Sequence, residues 1–138
     1  MTDKKKIVVA DDEPFILSAL QDTLSEQYNV YTATNGKLAI EEVRNVKPDL
    51  IILDIMMPEM DGLEACKILK RDKETSTIPI ILLTAKGQIT DIEKGFKSGA
   101  DAYVVKPFSP ARLIEKVEEI FEKVEMRKKI IDEKKKNL

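Results

Sequence analysis

Histidine is absent from this chain of 138 residues, and that absence takes imidazole out of every mechanism. No Ser-His-Asp or Cys-His pair can form, and no His-ligated zinc site is available. Cysteine occurs once, as Cys66, so no internal disulfide and no thiolate metal cluster can be built. Cys66 falls on the apolar side of a predicted helix and reads as core packing. No apolar run approaches bilayer-spanning length. The run Ile7 to Ala10, after three lysines, is far shorter than a secretory signal core and meets acid at once. Membrane insertion is therefore not expected, and the expected location is cytoplasmic. A basic excess is also missing: 23 basic and 25 acidic residues give a net charge of −2. The electrostatic footprint of a nucleic-acid binder is absent, and direct nucleic-acid binding by this domain is not expected. What remains in good supply is carboxylate chemistry, on a chain whose 43% hydrophobic content allows one domain with a real core.

Short apolar runs alternate with segments of helical period, the pattern of βαβ units and a parallel α/β sheet. The runs predict strands over Lys6 to Ala10, Asn29 to Ala33, Leu50 to Leu53, Ile80 to Leu83 and Ala102 to Val105. Leu50 to Leu53 is apolar throughout, as expected for a central strand covered on both faces. Pro14 suits the first turn of a helix whose inward stripe is Ile16, Ala19, Leu20 and Leu24. Asn35-Gly36 leads into a second helix that Pro48 ends. A third helix is predicted over Leu63 to Arg71, and a fourth from Asp91 to Lys97, stopped by Gly99. Ser109 and Pro110 open the fifth. Its apolar positions Leu113, Val117, Ile120, Phe121 and Val124 keep helical spacing, which places the domain at 1–124. Residues 125–138 form a charged extension, expected to continue the helix, with six basic and three acidic residues.

Four of the predicted strands end on chemically pointed residues: Asp11-Asp12, Asp54, Thr84 and Lys106-Pro107. Parallel strands bring their C-terminal ends to one edge. Three carboxylates, a hydroxyl and an ammonium are thereby gathered in one crevice, a set suited to handling a phosphoryl group. Taken singly, each acid is explained as a turn residue or helix cap. Co-occurrence at successive strand ends is what points to a site.

In that order, Asp11-Asp12, Asp54 within LIILDIMMPEMDG, Thr84-Ala85, Tyr103 and Lys106-Pro107-Phe108 make the chain resemble a response-regulator receiver domain, the phosphoacceptor module of two-component signalling. The resemblance covers about Lys5 to Val124. It implies a flavodoxin-like, doubly wound five-stranded parallel sheet of order 2-1-3-4-5 with five flanking helices and a site at the switch point. It further implies Asp54 as the residue phosphorylated by a sensor histidine kinase. The protein would then be a phosphorylation-controlled switch that acts on a downstream protein, and no enzyme beyond its own phosphotransfer and slow self-dephosphorylation. Stand-alone regulator and receiver excised from a longer chain both fit.

Clustered carboxylates raise one another's pKa unless a cation joins them, and an all-oxygen set favours Mg²⁺. Asp12 and Asp54 are the expected direct ligands, Asp11 acts mainly through water, and the resemblance adds the backbone carbonyl of Met56. Lys106 would neutralise charge on the transferred oxygens, and the resemblance implies a cis Lys106-Pro107 peptide. Thr84 and Tyr103 resemble the pair that reads phosphorylation. Ile92, Phe96, Tyr103 and Phe108 would form the output face. Met56 and Lys86 stand at positions that tune the lifetime of the phosphorylated state. Two other classes remain in view. A haloacid-dehalogenase-like phosphatase needs a second acid where Met56 stands, and a constitutive interaction module would keep only a vestigial pocket.

Overall fold

The computed structural model describes residues 3–85 and 89–137, and for residues 89–92 the backbone alone. Elements alternate along the chain as β1 (Lys6–Ala10), α1 (Pro14–Leu24), β2 (Asn29–Ala33), α2 (Gly36–Val46), β3 (Leu50–Asp54), α3 (Gly62–Arg71), β4 (Ile80–Ala85), α4 (Ile89–Lys97), β5 (Ala102–Lys106) and α5 (Pro110–Lys136). All pairings are parallel and the order is β2-β1-β3-β4-β5, as the resemblance implies.

Burial explains why these runs are strands. Side chains alternate across a sheet, so Val8, Ala10, Ile51, Leu53, Ile80 and Leu82 share one face. They pack there with Ala39, Ile40 and Val43 of α2 and Ala65, Cys66 and Leu69 of α3. Ile7, Val9, Leu50, Ile52, Ile81 and Leu83 point the other way and are equally inaccessible. Central strands buried on both sides must be apolar at every position, which is what the runs record. Cys66 lies in this core, its thiol donating to the Ser98 carbonyl at 3.6 Å.

The strand starts are tied by carboxylates. Asp49 accepts from the Lys6 amide at 2.8 Å, and Asp101 accepts from the Ile80 amide at 2.8 Å and from the Lys70 ammonium at 3.0 Å. Helix starts follow their caps: Asn35 accepts from the Leu38 amide at 2.9 Å and Asp61 from the Glu64 amide at 2.8 Å. Lys47, left-handed at φ 52°, ends α2.

Three strands run further than their apolar residues suggest. β3 takes in Asp54, β4 takes in Thr84 and Ala85, and β5 takes in Lys106. The ladder continues there, with Asp54 opposite Leu83 and Lys106 opposite Ala85, because backbone pairing is indifferent to side-chain polarity. α4 begins at Ile89, two residues before the expected start, and α3 at Gly62, one before.

Residues 109–138 form a separate unit. In it Ser109 caps α5 by accepting from the Arg112 amide at 3.1 Å. Leu113, Val117, Ile120 and Phe121 are buried, and residues 125–137 are exposed.

Ile52, fully buried in the central strand, has no room to be shortened without a void. Ile52→Ala is expected to lower the unfolding free energy by about 2–5 kcal/mol, measured by urea titration. A loss under about 1 kcal/mol would contradict a close-packed, two-sided sheet.

Candidate functional site

The register aligns the strand ends. Ala10 is opposite Leu53, so the residues that follow, Asp11 and Asp54, emerge side by side from adjacent strands. Asp11 is fully buried and Asp54 is 5% exposed, whereas Asp12 is exposed. One oxygen from each of the three carboxylates lies within 4.8 Å of the others. Lys106 arrives from β5, on the far side of β4. Its ammonium lies 2.7 Å from Asp11 Oδ2 and 3.2 Å from Asp54 Oδ1. The second Asp11 oxygen accepts from the Glu13 amide at 3.0 Å. Burial therefore leaves no orphaned side-chain atom among the described residues.

The electrostatics follow from this geometry. Burial drives the Asp54 carboxyl from the ordinary 3.8 to about 6; the neighbouring Asp11 charge adds to the rise and Lys106 opposes it. For Lys106, burial works against the charged form. The hydrogen bond to Asp11 and the charges of Asp54 and Asp11 outweigh it, so the ammonium is held above its usual range. Three carboxylates against one ammonium leave two negative charges in the crevice. All donors are oxygens and they converge, so the set fits a hard divalent cation such as Mg²⁺.

The crevice thus gathers Asp11, Asp12, Asp54 and Lys106. Thr84, 1% exposed, sits in the register step beside them, paired with Val105 and one before Ala85. Its hydroxyl makes a long bond, 3.5 Å, to the Ala85 carbonyl. The Met56 side chain is 71% exposed. The Lys106-Pro107 peptide is cis. Away from the acids, Thr84 also lines an apolar recess with Phe96, Ala102 and Tyr103, where the Phe96 and Tyr103 rings meet edge to face at 5.7 Å. Phe108 is half-buried. The Ile92 side chain and Lys86 lie outside the described residues.

A buried acid paired to a lysine across four strand ends is specific enough to compare with known proteins. The family model of the response regulator receiver domain matches residues 7–118. The chain belongs to that family. Receiver domains are phosphoacceptor switches, phosphorylated by histidine kinases, and they generally bind Mg²⁺ at an acidic cluster. Over 123 residues the chain is 43% identical to the alkaline phosphatase synthesis transcriptional regulatory protein PhoP of Bacillus subtilis, covering 88% of this chain and 50% of that one. Over 117 residues it is 39% identical to the DNA-binding response regulator MtrA of Mycolicibacterium smegmatis, covering 84% and 50%. The chain spans about half the length of the curated relatives it matches. Among solved structures, the chemotaxis response regulator CheY4 of Vibrio cholerae superposes with a TM-score of 0.80 at 30% identity, covering 85% of this chain and 98% of that one.

Two features of this receiver's site were not readable in the sequence. Asp11, expected to act mainly through water, is the closest partner of Lys106, 95 residues away. Gly62 lies against the back of Asp54: a Cβ there would fall 2.2 Å from the Asp54 carbonyl oxygen. Its one sequence signal is the Asp61-Gly62 pair, which reads as any turn.

Folded Asp54 holds its proton more tightly than the unfolded chain does between pH 3.8 and about 6. More protons bound in the native state means stability that falls as pH rises through that window. Between about pH 4.5 and about pH 7 the metal-free wild type is expected to lose melting temperature relative to Asp54→Asn, read from thermal unfolding of both at each pH. Identical pH profiles for the two proteins would contradict the buried, under-neutralised acid.

Proposed function

We propose that this receiver domain, residues 1–124, accepts a phosphoryl group on Asp54 from a sensor histidine kinase and signals by binding a downstream protein. Lys106 carries this reading: its ammonium is held between two buried carboxylates, one of them Asp54, at the edge where a phosphoryl group would enter. A structural ion pair needs one carboxylate. A lysine shared by two can let go of Asp54 while keeping Asp11, and so meet new oxygens without leaving a buried charge alone.

The step is a displacement at phosphorus. An ionised Asp54 oxygen forms the new O–P bond, and the bond from phosphorus to the kinase's histidine nitrogen breaks, leaving an acyl phosphate. Asp12 and Asp54, with the Met56 carbonyl and with Asp11 through water, would hold Mg²⁺, which supplies charge neutralisation for the acids and the transferred oxygens. Lys106 stabilises negative charge on those oxygens, and Asp11 keeps Lys106 at the crevice before and after transfer.

Thr84 then reads the product. Its hydroxyl, which among the described residues makes one long bond of 3.5 Å, turns to the new phosphoryl oxygens, and Ala85 leaves room beside it. That movement changes the wall of the recess that Thr84 shares with Phe96 and Tyr103, and Tyr103, 37% exposed, turns inward. The output face is the surface of α4 and β5 around Phe96 and Tyr103, with Ile92 and Phe108 as its further members. No catalytic turnover beyond self-phosphorylation and slow self-dephosphorylation is assigned. Among the described residues no helix is long and apolar enough to cross a membrane, and a cytoplasmic location is part of the proposal. Residues 125–138 would be an extension of the last helix beyond the receiver.

Incubation with acetyl phosphate and Mg²⁺ is expected to add one phosphoryl mass to the intact protein and none to Asp54→Asn. Lys106→Met is expected to slow labelling on the order of a hundredfold, read by mass spectrometry against time. Equal labelling of Asp54→Asn would refute Asp54 as acceptor.

A further inference from the structure

The loop from Ile55 to Asp61 joins the proposed acceptor strand to α3 and contains Met56. It is tied down at both ends by glycines. At the base, the Gly62 amide donates to the Ile55 carbonyl at 2.9 Å. Near the tip, the Gly36 amide, from the first residue of α2, donates to the Met60 carbonyl at 3.0 Å. A Cβ on Gly36 would lie 2.4 Å from that carbonyl oxygen and 2.9 Å from Met60 Cγ. Between the two ties the chain turns sharply: Glu59 is left-handed at φ 65°, and the Met60 amide donates to the Pro58 carbonyl at 2.7 Å.

Helix geometry says why position 36 can serve the loop and why it costs α2 something. The first amides of a helix have no partner within it, so the Gly36 amide is available to a neighbour. Its φ is not in the left-handed region, so the backbone does not call for glycine, and alanine is the better helix former. The close approach of Met60 is what accounts for the missing side chain.

The structure assigns Gly36 as a positioning residue for the site: by receiving the Met60 carbonyl without a side chain, it fixes the loop that sets the Met56 backbone beside Asp54. Its consequence for phosphoryl transfer rests on the function proposed above. A methyl group at position 36 cannot share space with a backbone carbonyl, so the loop must retreat by several tenths of an ångström. Displacements of that order at a reacting centre cost rate steeply.

Gly36→Ala is tested beside Ala39→Gly, which weakens the same helix at a buried position and adds no atom near Met60. In the metal-free protein, Gly36→Ala is expected to shift the amide resonances of Ile55, Met56 and Met57, and Ala39→Gly to leave them in place. With acetyl phosphate and Mg²⁺, Gly36→Ala is expected to react about tenfold more slowly, and Ala39→Gly within about twofold of the wild type at equal or lower melting temperature. Unmoved resonances, or rates that simply follow stability in both variants, overturn the assignment. If the wild type takes up no phosphoryl group, the functional reading has failed and the resonances alone decide the positioning role. If Gly36→Ala does not fold, Met60→Ala removes the Cγ part of the contact, and its resonances at 55–57 decide in the same way.

Discussion

Everything at the sheet's C-terminal edge depends on how two buried carboxylates and one ammonium share a small volume. Asp11 and Asp54 leave adjacent strands and would repel each other out of the crevice if nothing stood between them. Lys106 stands there, 2.7 Å from one and 3.2 Å from the other. Its reach sets demands on the fold, since β4 lies between β3 and β5 and the lysine stem must pass its end. The register places Ala85, one of the smallest side chains, directly opposite Lys106. The strand order and the register are therefore two conditions of one ion pair.

The pair does not make the site neutral. Asp54 is held near 6 even with an ammonium at its side, because burial and Asp11 together outweigh Lys106. Buried charges that are incompletely compensated destabilise a fold, and such groups concentrate where chemistry is done. The strain is tolerable because it sits at the end of strands whose other residues are nearly all inaccessible and apolar on both faces. A core of that kind supplies stability well away from the crevice.

The sequence was most legible where one physical rule governed each residue. Two-sided burial made the strands continuous apolar runs, and Pro14, Asn35-Gly36 and Ser109-Pro110 marked helix starts, so element order and strand-end residues could be read directly. The ends of β3, β4 and β5 were read short because Asp54, Thr84 and Lys106 look like loop residues, while hydrogen bonding carries the ladder past them. The Asp11 to Lys106 contact was illegible for a different reason. Sequence pattern gives periodicity within an element, and this contact depends on the relative heights of four strands, β1, β3, β4 and β5. The dockings at Gly36 and Gly62 were illegible because both are defined by the absence of a side chain, and Asn35-Gly36 and Asp61-Gly62 read equally well as ordinary turns before helices.

In the proposed function, Thr84 is the residue through which a change of charge at the crevice would reach the surface without a long pathway. It follows the Leu83 that pairs with Asp54 in the ladder, and it lines the recess of Phe96 and Tyr103. Its bond to the Ala85 carbonyl is long, so giving that bond up forfeits little, whereas a phosphoryl group offers strong acceptor oxygens. Across the recess, the edge-to-face contact of Phe96 and Tyr103 is worth at most about 1.5 kcal/mol. A few new charge-assisted hydrogen bonds of about 1.5–3 kcal/mol each are enough to outweigh it. The proposed switch is favoured by this mismatch: the crevice is strongly charged, the surface contact is weak, and Thr84 lies one residue past the Leu83 that pairs with Asp54 while lining the recess.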